Sequence, residues 1–456
     1  MTSAERISHI RAAMPEGGMF RDKDWLASPQ AFPINRELAE KLCVLGTALL
    51  AFQRACNALY HRSAAGEHAW VANLLDQGKP ERMVALGRNP RWRDALPRVI
   101  RPDLIITETG ISIAELDSLP GGIGLTGWLG ETYAALGENI LGGADGMIEG
   151  FSKSYPQHDI LISRESGDYQ PEMEWLAEKL NNRSDGVPPS IAIDDGKMPS
   201  LRVHEVLNPW TIKPHELAGR DIYRFFELWD VDNVEHGAAL LTMAESGELN
   251  FTPPLKPYLE EKLWLALFWS PQLLDYWDSA LSAEHLALLR ECIPYGWVLD
   301  PVNLPLIAEW PRLGIHDWTE MKKFGNKERE LVIKVSGWSD QAWGSRGVSI
   351  GHDLSLDEWG AVIDHALASF PRNPHIMQRF ARAKVIAHPV WNEEKQSEIM
   401  MQGRVRLCPY YFCGPSVSDG EEAKLGGALA TIVPADKKLL HGMKDAAMVP
   451  CSINSV

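Results

Sequence analysis

The sequence predicts an α+β protein. Three observations carry this: a helical period over the first hundred residues, a change to short β-type runs after Pro97, and a last third dominated by strands around one clear helix. The helical start rests on Asn35, a good N-cap type, followed by Leu38, Leu42, Leu45, Leu49, Phe52, Cys56 and Leu59 at steps of three and four. Pro80, Pro90 and Pro97 then cut the chain into shorter pieces. Strands are expected at 103–107, 111–116, 159–163 and 190–194, with helices at 172–180 and about 221–229. Prolines between Gly247 and Pro257 mark a break before a helix carrying Leu259, Leu263 and Leu267. Further strands are expected at 331–335, 348–350, 375–380, 405–413 and 428–433, around a helix at 356–370. The breaks set off a helical first part, 1–97, and place a domain boundary near 250.

At 456 residues the chain has room for two or three ordinary domains. Its 17 tryptophans point to thick cores and domain contacts. A formal charge of -16 argues against a general nucleic-acid binder, which needs a basic face to meet phosphates. Cysteines 43, 56, 292, 408, 413 and 451 show neither zinc spacing nor the density of a disulfide framework, so they read as reduced thiols. The first residues lack the apolar core of a signal peptide, and no uncharged apolar run reaches 18 residues. A cytoplasmic protein with no membrane partner is the expectation.

The most informative segment is a hairpin. Runs 101–107 and 111–117 flank Glu108-Thr109-Gly110, which places Asp103 opposite Glu115 and Arg101 opposite Asp117. Side chains alternate along strands, so three carboxylates and one arginine share a face. Like charges opposite one another cost stability unless compensated, and a hard cation such as Mg²⁺ with oxygen ligands compensates them. A solvated acidic hairpin is the alternative. Gly122-Ile-Gly124-Leu-Thr-Gly127 follows and matches a dinucleotide fingerprint, but Glu115, Asp117 and Pro120 stand where an apolar strand should lead in. Carboxylates there would repel a pyrophosphate, so a glycine-rich turn is the preferred reading.

The pattern Arg101-x-Asp103, then Glu115-x-Asp117, then Pro120-Gly-Gly resembles the metal-binding segment of the circularly permuted ATP-grasp enzymes, the family of glutathionylspermidine synthase-like carboxylate–amine ligases. Further stretches resemble that family in the same order: 166–180 and 222–233 its pre-ATP-grasp portion, Lys262 in EKLWLAL its first nucleotide lysine, and Lys334 in IKVSGW its second. The loop 336–347 resembles its glycine-rich lid, Gln378 in PHIMQRF its adenine hinge, and the segments RVRLCPYYF, LGGALATIV and HGMKDAAMV its closing strands. The resemblance thus implies a metal-binding part at 98–150, a pre-ATP-grasp-like α/β part at 151–250, a lid subdomain at 251–352 and closing core strands at 353–456. Two departures stand out: Asp117 replaces the family's usual Asn, and Gly426-Gly427 is not followed by the arginine often found there.

The resemblance implies ATP and Mg²⁺, with Asp103, Glu115 and Asp117 on the metal and Lys262, Lys334, Ser345, Gly347 and Gln378 around the nucleotide. It implies small-molecule or peptide acid and amine substrates joined through an acyl phosphate. Arg101, Arg224 and Arg346 are the candidates to meet developing charge or a substrate carboxylate. From the residues alone, Lys334 in an apolar strand needs a buried partner, which a phosphate would supply, a snorkelling or salt-bridged lysine being the alternative. Lys262 is of a kind usually solvated on helices, Trp338 and Trp343 suit packing as well as shielding, and Arg224 suits stacking on Tyr223 and Phe226 as well as carboxylate binding. A nucleotide-binding scaffold without ligase chemistry, and a kinase on the same fold, are the alternative functions.

Overall fold

In the computed structural model, the described residues are 1–117, 119–183, 204–207, 212–302, 304–305, 308–342, 344, 346–414, 423–437, 440 and 444–454. Asn35 caps the expected helix, Arg36–Ala64, by accepting the Leu38 N–H at 2.9 Å. By length and composition this helix could cross a membrane, yet 67% of its most apolar stretch is buried inside the protein. Leu42, Leu45, Leu49, Phe52 and Leu59 join the main core, and Tyr411 pins the helix to the sheet by donating to the Leu42 carbonyl at 2.7 Å.

Three sheets account for the named strands among the described residues. The first strands are β1 (Phe32–Ile34), β2 (Val99–Ile106) and β3 (Ile111–Asp117). Next, β4 (His158–Ile162), β5 (Val206–Leu207), β6 (Asp221–Phe225) and β7 (Asn250–Thr252) form a parallel sheet in the order β5-β4-β6-β7. An antiparallel sheet follows, β10-β9-β11-β8, built from β8 (Gly296–Val298), β9 (Leu331–Val335), β10 (Val348–Ile350) and β11 (His375–Arg379). Finally β12 (Val385–Asn392), β13 (Ser397–Phe412), β14 (Lys424–Pro434) and β15 (Ala447–Ile453) complete the main sheet, ordered β1-β15-β14-β13-β2-β3 with β12 also on β13.

Several expectations change. Residues 221–229 are β6 and a 3-10 turn, Leu228–Asn233, not a helix. A parallel strand covered on both faces reads as a continuous apolar run, and IYRFF is such a run, with Ile222 to Phe226 all buried. The helix expected around Leu259 to Leu267 is a 3-10 turn, Pro257–Glu260, and a short helix, Leu263–Leu267, for which Lys262 is the N-cap position. The strand expected at 190–194 lies outside the described residues. The helical first part also supplies β1, which pairs in parallel with β15.

The break expected at 352 falls inside the β8–β11 sheet, since β10 and β11 both pair with β9. The helix Leu356–Ser369, with a Ser355–Glu358 capping box, packs on that sheet: Trp359, Ile363 and Ala366 bury against Trp297, Ile333 and Met377 in a core of their own. The three sheets converge on the β2–β3 hairpin.

Candidate active site

The hairpin has the expected register over its charged half: Arg101 faces Asp117 and Asp103 faces Glu115. Beyond Asp103 the pairing slips by one residue, because Leu104 faces Ile113 and leaves Ala114 as a bulge. The bulge exposes a carbonyl that the ladder no longer needs. Lys334 donates to it, Nζ to Ala114 O at 2.6 Å, so the lysine of β9 is anchored on the metal-candidate hairpin.

The carboxylates are compensated by cations of the chain itself. Arg101 reaches Asp103 at 3.1 Å and Asp117 at 2.9 Å. Arg406 reaches Asp103 from β13 at 3.1 Å, and Lys262 reaches Glu115 at 2.7 Å. Withdrawal from solvent lifts Asp117 above the ordinary carboxylate range; Arg101 pulls it back only in part, and Glu115 and Asp103 add to the rise. Burial brings Lys334 down to about 8, with Lys262 beside it and Glu115 opposing the fall.

Two cavities flank the hairpin and share Asp103, Glu115 and Arg406. The first, about 470 Å³, is lined by Ala114, Val332, Lys334, Ile350, Gln378 and Phe380 among others. Gln378 sits in the body of β11, accepts from Lys334 at 3.2 Å, and its buried Nε2 has no partner among the described residues. A lowered lysine and an unanswered amide donor in a largely apolar cleft suit a phosphorylated, partly aromatic ligand. The second cavity, about 640 Å³, is lined by Arg101, Asp117, Tyr169, Glu227, Arg346 and Tyr410 among others.

The other candidates separate. Lys262 donates to Ala342 O at 2.9 Å and Ser336 O at 3.3 Å as well as to Glu115, so it joins the candidate lid to the hairpin. Arg346 extends from that loop over the second cavity to Glu165 at 3.4 Å. Gly347 N–H already donates to Gln341 O at 2.8 Å, and Ser345, like Trp343, lies outside the described residues. Arg224 is fully buried, spends its donors on Glu260 and the Phe226 carbonyl, and lines neither cavity, so the carboxylate-holding role expected for it is not what its position serves.

Among the described residues no three His, Cys, Asp or Glu side chains converge as an all-protein metal centre. Mg²⁺ at phosphate sites commonly takes one or two carboxylates and completes its shell with phosphate oxygens and water. Asp103 and Glu115, cross-strand partners on the wall between the cavities, fit that donor set; Asp117 faces Arg101 and only the second cavity of the two.

Two functional residues escaped the sequence reading. Arg406 lies opposite Thr431 of β14, so a guanidinium stands one strand away from the position where the tail lacks one. Its signal was the alternation Arg404, Arg406, Cys408, Tyr410 in an apolar strand, the face that lines both cavities. The second is Glu172, which explains the glycine motif. Gly122 adopts a left-handed conformation, φ +86°, and caps the helix Ile123–Ala135 without a side chain. A Cβ on Gly124 would stand 2.0 Å from the Glu172 carbonyl. The glycines therefore let the helix Gln170–Asn182 approach, and its Glu172 carboxylate, fully buried, accepts from Gly122 N at 2.7 Å and Leu125 N at 2.9 Å.

No protein-family model and no curated protein matches the sequence. Among solved structures, a ligand-free glutathione synthetase-like effector from Globodera pallida matches with a TM-score of 0.56 at 10% identity, over 100% of this chain and 96% of that one. A candidate gamma-glutamylcysteine synthetase from Methylobacillus flagellatus matches with a TM-score of 0.40 at 11% identity, over 93% of this chain and 90% of that one. The fold is thus one shared with the Globodera protein.

Proposed function

We propose that the chain is an ATP-dependent carboxylate–amine ligase of the circularly permuted ATP-grasp kind. The observation that carries this reading is the pair of cavities divided by Asp103, Glu115 and Arg406. A group transferred between two bound molecules must pass such a wall. The name of the Globodera protein, a glutathione synthetase-like effector, agrees with it.

In this reading the nucleotide takes the first cavity, with its base among Val332, Ile350, Phe380 and the hinge residue Gln378, and its phosphates toward Lys334 and toward Lys262 beside Glu115. Mg²⁺ held by Asp103 and Glu115, with Asp117 behind Arg101, would neutralise phosphate oxygens. The acid and the amine take the second cavity. A substrate carboxylate oxygen attacks the γ phosphorus and ADP leaves, giving an acyl phosphate; the amine then attacks the acyl carbon, loses a proton and expels phosphate as the C–O bond to it breaks. Arg406, on the dividing wall, and Arg101 stand where negative charge develops during both displacements. Arg346 and the loop after Ser336 keep water from the acyl phosphate.

One observation favours a second reading, a nucleotide-binding scaffold: every candidate metal carboxylate is ion-paired with Arg101, Arg406 or Lys262. An isotope chase separates them. With ¹⁸O in the acid's carboxylate and a panel of amines, ligase chemistry moves one label into the released phosphate. Tight MgATP binding with no turnover across the panel supports the scaffold, and a stable phosphorylated product identifies a kinase.

A further inference from the structure

The hydrogen-bond path from Glu172 leads out of the core and into the second cavity. Its carboxylate fixes the N–H groups of Gly122 and Leu125, and the carbonyl of the preceding residue, Gly121, accepts from Arg101 Nη1 at 3.0 Å and from Tyr410 Oη at 2.7 Å. Arg101 in turn spans Asp103 and Asp117. The guanidinium thus has three fixed acceptors, and the turn that supplies one of them is held by a carboxylate on a different helix.

We propose that Glu172 is a positioning residue for Arg101, acting through the Gly121–Gly122 turn to set the guanidinium between the hairpin aspartates. A carboxylate offers both N–H groups a charged acceptor, whereas a carboxylic acid offers one good acceptor and a hydroxyl. The turn should therefore tighten as Glu172 loses its proton. Burial holds that group up at about 7, against the pull of the two N–H groups and of Arg101. Of the other groups facing this region, Tyr169, Tyr223 and Tyr410 are raised by burial, away from neutrality, Asp117 is raised by burial against the pull of Arg101, and Glu227 across the second cavity is raised well above its ordinary value by burial and by Glu260. The proposal rests on the ligase reading only for what Arg101 does once it is placed.

The test uses the full chain labelled with ¹⁵N-arginine, its Arg101 Nε–H resonance assigned with Arg101→Lys. Between pH 6 and 8 the wild-type resonance should move with a midpoint near 7, while the Gly122 and Leu125 amide protons, followed in uniformly ¹⁵N-labelled protein, move downfield with the same midpoint as their acceptor becomes a carboxylate. Glu172→Gln should hold the resonance at its acid-side position and remove the pH-dependent shift of the two amide protons. Its affinity for MgAMP-PNP, which occupies the first cavity, should stay within about threefold of wild type. A wild-type resonance that ignores pH, or one that titrates unchanged in Glu172→Gln because Asp117 drives it, overturns the proposal. The wild-type titration needs no variant to fold, and failure of both proteins to bind MgAMP-PNP counts against the ligase reading while leaving the arginine and amide-shift measurements decisive for Glu172.

Discussion

Lys334 is buried and held by one carbonyl and one amide oxygen, so its ammonium lacks a direct carboxylate bond of its own. Lys334→Ala should weaken MgATP binding at least tenfold, about 1.4 kcal/mol, by calorimetry. Because burial brings the group to about 8, the free protein must take up a proton to bind phosphate above that pH. Affinity should therefore fall as pH rises through 8 in wild type and be flat there in Lys334→Ala. Glu172 yields a stability prediction of opposite sense to an ordinary salt-bridged carboxylate. Its folded value, about 7, exceeds the usual 4.5, so the folded state holds the proton more tightly. Its contribution is fully present below 4.5 and is lost as pH rises to 7, by on the order of 3 kcal/mol. Denaturant melts at pH 5 and pH 8 should show wild type losing more stability than Glu172→Gln across that window; parallel loss would mean that the carboxyl is not perturbed.

The hairpin and the glycine motif are the elements on which the site depends. Glu115→Gln removes one charge from the Asp103–Glu115 pair and breaks the contact with Lys262. Since that ion pair is partly exposed at Glu115, the ligand-free protein should change by less than about 1 kcal/mol. The melting shift conferred by MgATP should shrink, and turnover should fall at least a hundredfold, about 2.7 kcal/mol. An unchanged shift with full activity would make these carboxylates surface decoration. Gly124→Ala tests the packing account instead, because its Cβ would stand 2.0 Å from the Glu172 backbone carbonyl, which cannot rotate away. The two helices must part, at a cost of about 1 to 3 kcal/mol, read as a lower melting temperature. A dinucleotide-fingerprint glycine would show its effect in ligand affinity rather than in the stability of the ligand-free protein.

At the scale of the molecule, the parts are joined through the base of the candidate lid. The buried pair Lys79–Glu261 ties the N-terminal helices to Ser336, whose hydroxyl donates to Glu261 and accepts from Leu263 N at 2.9 Å. Lys262 then holds Ala342 and Glu115 together. MgATP should slow hydrogen exchange across 336–342 by closing this loop on the hairpin, while exchange in the helix Leu356–Ser369 stays as it was. Equal exchange in the loop with and without nucleotide would remove it as a lid.

Local chemistry makes part of this fold and site legible in the sequence. The Asn35 cap with its helical period, the alternation of the hairpin and its opposed charges, and the strands from Leu331 onward all follow from neighbours along the chain or directly across a turn. What the sequence does not contain is partnership over distance. IYRFF has the composition of a buried helix and becomes a strand only because β4 and β7 lie on either side of it. GxGxxG reads as a glycine-rich turn, but what it makes room for appears only when the helix bearing Glu172, some fifty residues on, packs against it. Arg406 reaches Asp103 across 303 residues of chain. By itself the sequence determined the mixture of helix and strand, the register of the hairpin's charged half and the lysine strand; the tertiary structure alone decided which cations meet which carboxylates, because charge pairing acts through space and carries no periodic signature along the chain.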